Sequence, residues 1–322
     1  MSALAQRQNI QEIVDAFFVG WCRRDWGRAK PAIAPHAELW SSQHGDAVGP
    51  DGFEQALAGD TACGPVWFRT SNRYIGGRAE LAVASAYVFG LLRHGTSSLL
   101  FGATVVMTFR CTVDGTWLLT TVRLAINWQQ GNTALVSHWH NPPEPHGWQL
   151  GDAPPVLVSE LDSPWSVVRD SILHGSIEDT VTELYSKYSW AIDQGDIALL
   201  SDCFSEEAAG GFAPMGALSG RHAIIGQLKS FRRHWPWMQH FADVVRVELE
   251  QGDTYARMIV ARVIPERPVD ATGRALYGAH YQIRARLEPD RQWRICWSDY
   301  RPGWFAENDL PEFDIGRTTE GT

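Results

Sequence analysis

The chain is expected to fold as two tandem α+β domains, each a curved antiparallel sheet wrapped around helices. Three observations predict this. The first is an internal repeat. FGATVVMTFRCTVDGTWLLTTVRLAINW begins at Phe101 and YGAHYQIRARLEPDRQWRICWSDYRPGW at Tyr277; Gly102 with Gly278, Trp117 with Trp293 and Trp128 with Trp304 keep one offset of 176 residues. Upstream, Asp25 with Asp196 and Gly49 with Gly220 keep an offset of 171, which one small insertion reconciles. Landmarks recurring in order at a fixed period mark a repeated structural unit. The second observation is that helical periodicity comes first in each copy and strand-like periodicity follows. The third is length: 322 residues suit two domains at roughly 100–200 residues each.

The elements follow in chain order. In the first copy (about 8–132), Ile10, Ile13, Val14, Phe17 and Trp21 form a stripe at helical spacing. Between the copies, six of the 17 prolines fall within residues 142–164, which predicts a linker with little regular structure over 136–175. Within it, Ser163-Pro164 suits the start of a short helix, with Ser as N-cap and Pro at the first helical position. In the second copy (about 176–308), Val181, Leu184, Tyr185, Tyr188 and Ile192 repeat the stripe, with Ser176 as N-cap and Asp179 three residues on as a capping-box partner. A short helix over 197–204, a turn-rich stretch and a third helix in GRHAIIGQLKSF come next. Four strands then follow: HFADVVRVEL, DTYARMIVARVI, LYGAHYQIRARLE and QWRICWSDYRP. The expected domains are therefore 1–135 and 176–322.

Composition excludes several classes. A hydrophobic fraction of 44% and a charged fraction of 20% describe a chain that buries a core. The net charge of −9 argues against nucleic acid as the main partner, since phosphate binding needs a basic face. No apolar run approaches the roughly 18 residues of a membrane span, so no membrane partner is expected. The five cysteines are scattered, odd in number and form no CxxC pair, which suits reduced thiols in the cytoplasm. The N-terminus lacks the pattern of a signal peptide. No P-loop, GxGxxG, GxSxG or HExxH occurs, so no cofactor is expected. His138-Trp139-His140 places two imidazoles at i, i+2 in the linker without an acidic or Cys partner near them in sequence, and no metal site is expected there.

The layout resembles the NTF2-like superfamily, in particular its SnoaL-like and scytalone-dehydratase-like branch. The resemblance is carried by RDWGRAKPAIAPHAELW (24–40), by Asp193 at the end of the second copy's first helix, by MQHF (238–241) at its first long strand, and by the tail YRPGWFAENDLPEFDIG (300–316), which is similar to a C-terminal lid. It implies cone-shaped domains with a pocket between sheet and helices, and a catalytic pair at Asp193 and His240. The family's second histidine is absent; Glu266 or Arg267 stands near its place. Ile192 replaces the tyrosine before the Asp, and the family's amide falls on Gln282, with His280 two residues earlier. The first copy has Cys22, Arg73, Thr104 and Val106 where the second has Asp193, His240, His280 and Gln282. The second copy is therefore expected to work and the first to be structural, although Cys22, Trp40 or His44 leaves room for another chemistry there. Association of the two copies through their sheets, with or without further homo-oligomers, is implied as well.

The residues themselves support this assignment. Imidazole titrates near neutral pH and can take and return a proton; a neighbouring carboxylate such as Asp193 fixes its tautomer. His280 and Gln282 share one face of their strand, and either line a pocket or, with Arg284 and Arg286 in the same parity, an exposed face. Tyr188, Trp190, Trp297 and Tyr300 suit a pocket wall for a small aromatic or polycyclic ligand. The expected activity is a cofactor-independent dehydratase-type lyase. The alternatives are a ketosteroid-isomerase-type isomerase or polyketide cyclase on the same site, and a non-catalytic ligand-binding or scaffold protein.

Overall fold

The computed structural model describes residues 2–140, 155–235, 238–250 and 252–315, and the statements that follow concern these. The chain divides into two compact units, Met1–Gly175 and Ser176–Thr322. The first contains α1 (Ala3–Arg23), β1 (Ile33–Ser41), β2 (Gly45–Val48), α2 (Gly49–Leu57), β3 (Trp67–Arg78), β4 (Leu81–His94), β5 (Ser97–Cys111), β6 (Trp117–Gly131), α3 (Ser159–Asp162) and α4 (Pro164–Val167). The second contains α5 (Ile177–Asp193), α6 (Ile197–Asp202), β7 (Phe204–Gly211), β8 (Ala217–Ser219), α7 (Arg221–Arg232), β9 (Ala242–Leu249), β10 (Tyr255–Val263), β11 (Leu276–Leu287) and β12 (Trp293–Ala306).

The two sheets share one topology. Their strand orders are β2-β1-β6-β5-β4-β3 and β8-β7-β12-β11-β10-β9, so each strand of one unit has its counterpart in the other. One feature departs from the expected antiparallel sheet: β1 pairs with β6, and β7 with β12, in parallel. In each unit a hairpin and a helix separate the first strand from the last four, and the last strand returns beside the first in the same direction. The stretch between α6 and α7, read from sequence as turns, holds the β7–β8 hairpin. Its glycines and short strands hide the period-2 signal.

The helices form where their caps and stripes place them. Ser176 Oγ accepts the Asp179 N–H at 3.1 Å while Asp179 Oδ2 accepts the Ser176 N–H at 2.8 Å, a complete capping box on α5. Asp196 caps α6 by accepting the Leu199 N–H at 2.9 Å. Both predicted stripes are buried against their own sheets. The repeat's Gly–Trp landmarks also have a shared cause. A Cβ on Gly102 would lie 2.2 Å from the Trp128 indole; one on Gly278 would lie 2.6 Å from Ile264 and 3.5 Å from Trp304. Each glycine is the gap that lets bulky side chains lie flat across the sheet.

The expected linker is more ordered than its composition suggests. A short 3-10 helix spans Thr133–Val136, and Ser163 caps α4 as predicted, accepting the Ser166 N–H at 3.1 Å. The Trp165 ring packs on Tyr74 with centroids 4.5 Å apart. Ile172 N–H donates to the Gly77 carbonyl at 2.8 Å, so residues 171–173 cover the open edge of β3. Proline richness signals the lack of long elements here, and it conceals this docking. Residues 141–154 lie outside the described part.

Candidate active site in the second unit

The site begins at the C-terminus of α5. Asp193 is the helix's last residue, and its carboxylate turns toward the segment that leads into β9. There it meets one residue twice. Asp193 Oδ1 lies 2.5 Å from His240 Nδ1, and Asp193 Oδ2 accepts the His240 backbone N–H at 2.7 Å. The two side chains are 4% and 10% exposed, so water competes little for these bonds. With Nδ1 as the donor, a neutral imidazole carries its lone pair on Nε2. The carboxylate thus sets both the ring's tautomer and its orientation. Burial lowers the His240 pKa from its ordinary value; Asp193 pulls the other way, and the charges of Arg262 and Arg232 add to the lowering. The ring is accordingly neutral, and a base, at neutral pH.

His240 borders a cavity of about 200 Å³ between the sheet and the helices. Its apolar wall includes Ile192, Phe212, Met215 and Leu228, and its polar groups are His240, Arg232, Arg262 and the tyrosines 188, 281 and 300. Tyr188 sits edge-on to His240 at 6.4 Å, and Tyr281 lies 4.9 Å from Tyr300 between ring centroids. Arg262 is the notable member. Its Nη1 atom is buried with no hydrogen-bond partner among the described residues. A buried guanidinium nitrogen left unsatisfied calls for an explanation, and a ligand oxygen supplies one.

Of the eight residues the sequence nominated, four come together here: Asp193, His240, Tyr188 and Tyr300. The other four do not, and they correct the expected pocket wall. On β11 it is Tyr281 that faces the cavity, so by alternation His280 and Gln282 face the other side of the sheet. There Gln282 donates to the Glu312 carbonyl at 3.1 Å and accepts the Asp314 N–H at 3.1 Å, while the His280 ring meets Phe305 edge-on at 5.7 Å. The tail that resembled a lid is thus bound across the sheet's opposite face, with Phe313 beneath the guanidinium groups of Arg246 and Arg257. Trp190 is buried away from the cavity, two residues and so more than half a helical turn from Tyr188. Trp297 is 41% exposed.

Sequence reasoning missed Arg262 and Tyr281. A signal for Arg262 was present: in YARMIVARV it falls in the same parity as Ala256, Met258 and Val260, which are all core residues. A charge in phase with a buried apolar face is a polar group aimed inward.

The first unit's matched positions are differently occupied. Cys22 is half-buried near the end of α1, and burial raises its pKa while Arg23 works against that. Arg73 pairs with Asp15 at 2.7 Å and Trp40 lies beneath Arg123. Its interior is filled by rings, with Phe17 packed on Phe18, Trp26 and Phe53. A separate cluster, His44, Asp60 and His138, is the group among the described residues whose geometry could hold a metal ion. The fold thereby gives His138 the acidic neighbour that its sequence surroundings lack.

Residues 176–298 match the SnoaL-like domain family. No curated protein matches the chain. Solved structures similar to it include a hexachlorocyclohexane dehydrochlorinase, LinA type 3, from Novosphingobium barchaimii (20% identity, 40% of this chain and 91% of that one, TM-score 0.36). A protein named for scytalone dehydratase from Novosphingobium aromaticivorans is 15% identical over 47% of this chain and 97% of its own, with a TM-score of 0.37. A ketosteroid isomerase-like protein from Erwinia carotovora is 13% identical over 38% and 95%, with a TM-score of 0.33.

Proposed function

We propose that the second unit, whose residues 176–298 match the SnoaL-like domain family and in which Asp193 meets His240, is a lyase of the dehydratase type, working by acid–base chemistry on a small aromatic substrate. The observation that carries this reading is the double clamp of Asp193 on His240 at the wall of a cavity that combines apolar side chains with a few polar ones. A base oriented in this way contributes roughly 10²–10⁴ to a rate.

The chemistry runs through the chain's own groups. His240 Nε2 removes a proton from the carbon beside a carbonyl or on an activated ring. The electron pair moves onto the carbonyl oxygen, where the Arg262 guanidinium offsets the developing negative charge. As that charge returns, the hydroxyl on the neighbouring carbon departs and takes the proton back from His240, leaving as water. The His240 side chain is only 10% exposed, which limits bulk water at the base. At about 200 Å³ the cavity is below the roughly 300–1,000 Å³ of drug-sized ligand pockets, so one ring suits it better than a polycycle.

The same base can return its proton to a different carbon without loss of water, as in an isomerase or cyclase. That alternative asks no more of the site than the lyase does, since in both His240, the one imidazole among the described lining residues, acts first as base and then as acid. Incubating the protein with β-hydroxy carbonyl compounds built on one ring, with product mass as readout, separates the two. Loss of one water supports the lyase. An unchanged mass with a shifted double bond supports the isomerase. Turnover by wild type that survives unchanged in His240→Ala overturns both.

A further inference from the structure

We propose that His44, Asp60 and His138 form a site for a first-row divalent transition metal in the first unit, with two imidazole nitrogens and one carboxylate as ligands. Four side-chain nitrogens surround Asp60. Trp21 Nε1 donates to Oδ2 at 2.7 Å and Trp139 Nε1 to Oδ1 at 2.8 Å. On the remaining side, His44 Nε2 lies 2.9 Å from Oδ2 and His138 Nε2 lies 2.8 Å from Oδ1. An indole N–H can only donate. The two tryptophans therefore occupy one lone pair on each oxygen and fix the carboxylate plane, and the other lone pair of each oxygen faces an imidazole nitrogen. Outer donors that orient a ligating carboxylate in this way are a general feature of metal sites. His44 has such a partner too: its Nδ1 lies 2.7 Å from Ser41 Oγ, so a proton held on Nδ1 leaves the Nε2 lone pair for a metal.

Two further features point to a cation. The Asp60 and His44 side chains are fully buried, and no Lys or Arg is among the hydrogen-bond donors to Asp60 described here. A buried carboxylate without a cationic partner costs several kcal/mol, so its charge needs a protonated imidazole or a bound ion. Second, a Cβ on Gly59 would lie 2.3 Å from the His138 ring; the glycine is what admits that ring to the carboxylate. Ligand atoms around a tetrahedral zinc stand about 3.3 Å apart given metal–ligand bonds near 2.0–2.1 Å. The observed separations need to open by only a few tenths of an ångström. The nitrogen-rich donor set suits Zn²⁺ or Co²⁺ and disfavours Mg²⁺ and Ca²⁺.

The test is a titration of the chelator-treated full chain with Co²⁺, read by visible absorption and by tryptophan fluorescence, followed by displacement with Zn²⁺. One Co²⁺ per chain is expected, with quenching because Trp21 and Trp139 touch the site, and Mg²⁺ should produce neither signal. His138→Ala, at a side chain 30% exposed and so tolerant of replacement, should weaken binding at least tenfold. Gly59→Ala should do the same without removing a ligand, and Trp139→Phe should weaken it about 10–100-fold through the lost outer donor. His240→Ala, in the other unit, should bind as wild type does. Absence of any signal at stoichiometric Co²⁺ overturns the site and leaves a protonated imidazole as the partner of Asp60. So does an affinity that a folded His138→Ala variant retains.

Discussion

Arg232 Nη2 donates to the backbone carbonyl of Asp193 at 3.1 Å, so the last residue of α7 caps the last residue of α5. Arg232 Nε adds a bond to the Ile192 carbonyl at 3.3 Å. Helix ends leave carbonyls unpaired and carry partial negative charge, and a cation here offsets both. It also holds in place the one backbone position from which Asp193 reaches His240.

Arg232→Met is accordingly expected to lower stability by about 1–2 kcal/mol and to lower turnover as the Asp193–His240 geometry loosens. Chemical denaturation and initial rates check the two effects. A variant destabilised to that extent with full turnover would show that the cap serves the helix alone.

His240→Ala should cost about two to four orders of magnitude in kcat with the near-UV spectrum unchanged. Asp193→Asn should cost less if the carboxylate only orients the ring. An equal loss in both would mean that Asp193 takes part in the proton transfer itself.

The acid limb of the pH–rate profile should lie below the ordinary histidine value of about 6.5, because burial and the Arg262 charge depress His240. The base works when neutral, so activity is lost as pH falls through that lowered pKa. Removing the Arg262 charge removes a repulsion that disfavours imidazolium. Arg262→Met should therefore move the acid limb to higher pH as well as lowering kcat. A limb that stays put or moves down would remove Arg262 from the electrostatics of the base.

Gln282→Leu should release the tail at residues 312–315, which its amide holds, and should speed proteolysis of that segment. Since the tail lies across the sheet from the cavity, kcat should stay within about threefold of wild type. A larger loss would show that the tail reaches the site after all.

Asp60→Asn should destabilise the first unit by about 3–5 kcal/mol, the scale for breaking a buried charged network. The folded carboxylate is held below its ordinary pKa; burial opposes this, and His44 with the other donors outweighs it. Its contribution is then fully present above the unfolded value near 3.9 and is lost as pH falls through the folded one. In the chelator-treated protein the deficit of the variant should be constant from neutral pH down to about 4 and shrink below that, as followed by thermal unfolding.

How far the sequence discloses this protein depends on which residues are asked. The Ser176–Asp179 box, both helical stripes and the four long strands are local patterns, and local patterns are legible. The His240–Asp193 contact spans 47 residues and was reached through resemblance, since spacing does not show which histidine meets which carboxylate. The face of β11 was misjudged because both parities carry polar groups: Tyr281 in one and His280 with Gln282 in the other. Only the tail's docking decides between them, and that is a tertiary fact. Asp60 drew no notice at all. It lies in a short 3-10 helix directly after α2, 39 residues from Trp21 and 79 from Trp139, and nothing near it in the chain hints at four side-chain nitrogens converging.

The glycine–tryptophan pairs carry one more consequence. Sliding a strand by two residues along its neighbour keeps every side chain on its own face, so hydrophobic patterning does not forbid that error. The indole of Trp128 does, because in its native rotamer it tolerates no side chain beneath it, and Gly102 is the partner that offers none. The pair works as a key and its slot: β5 and β6 settle in one alignment only, and the strands laid on either side of them inherit that alignment.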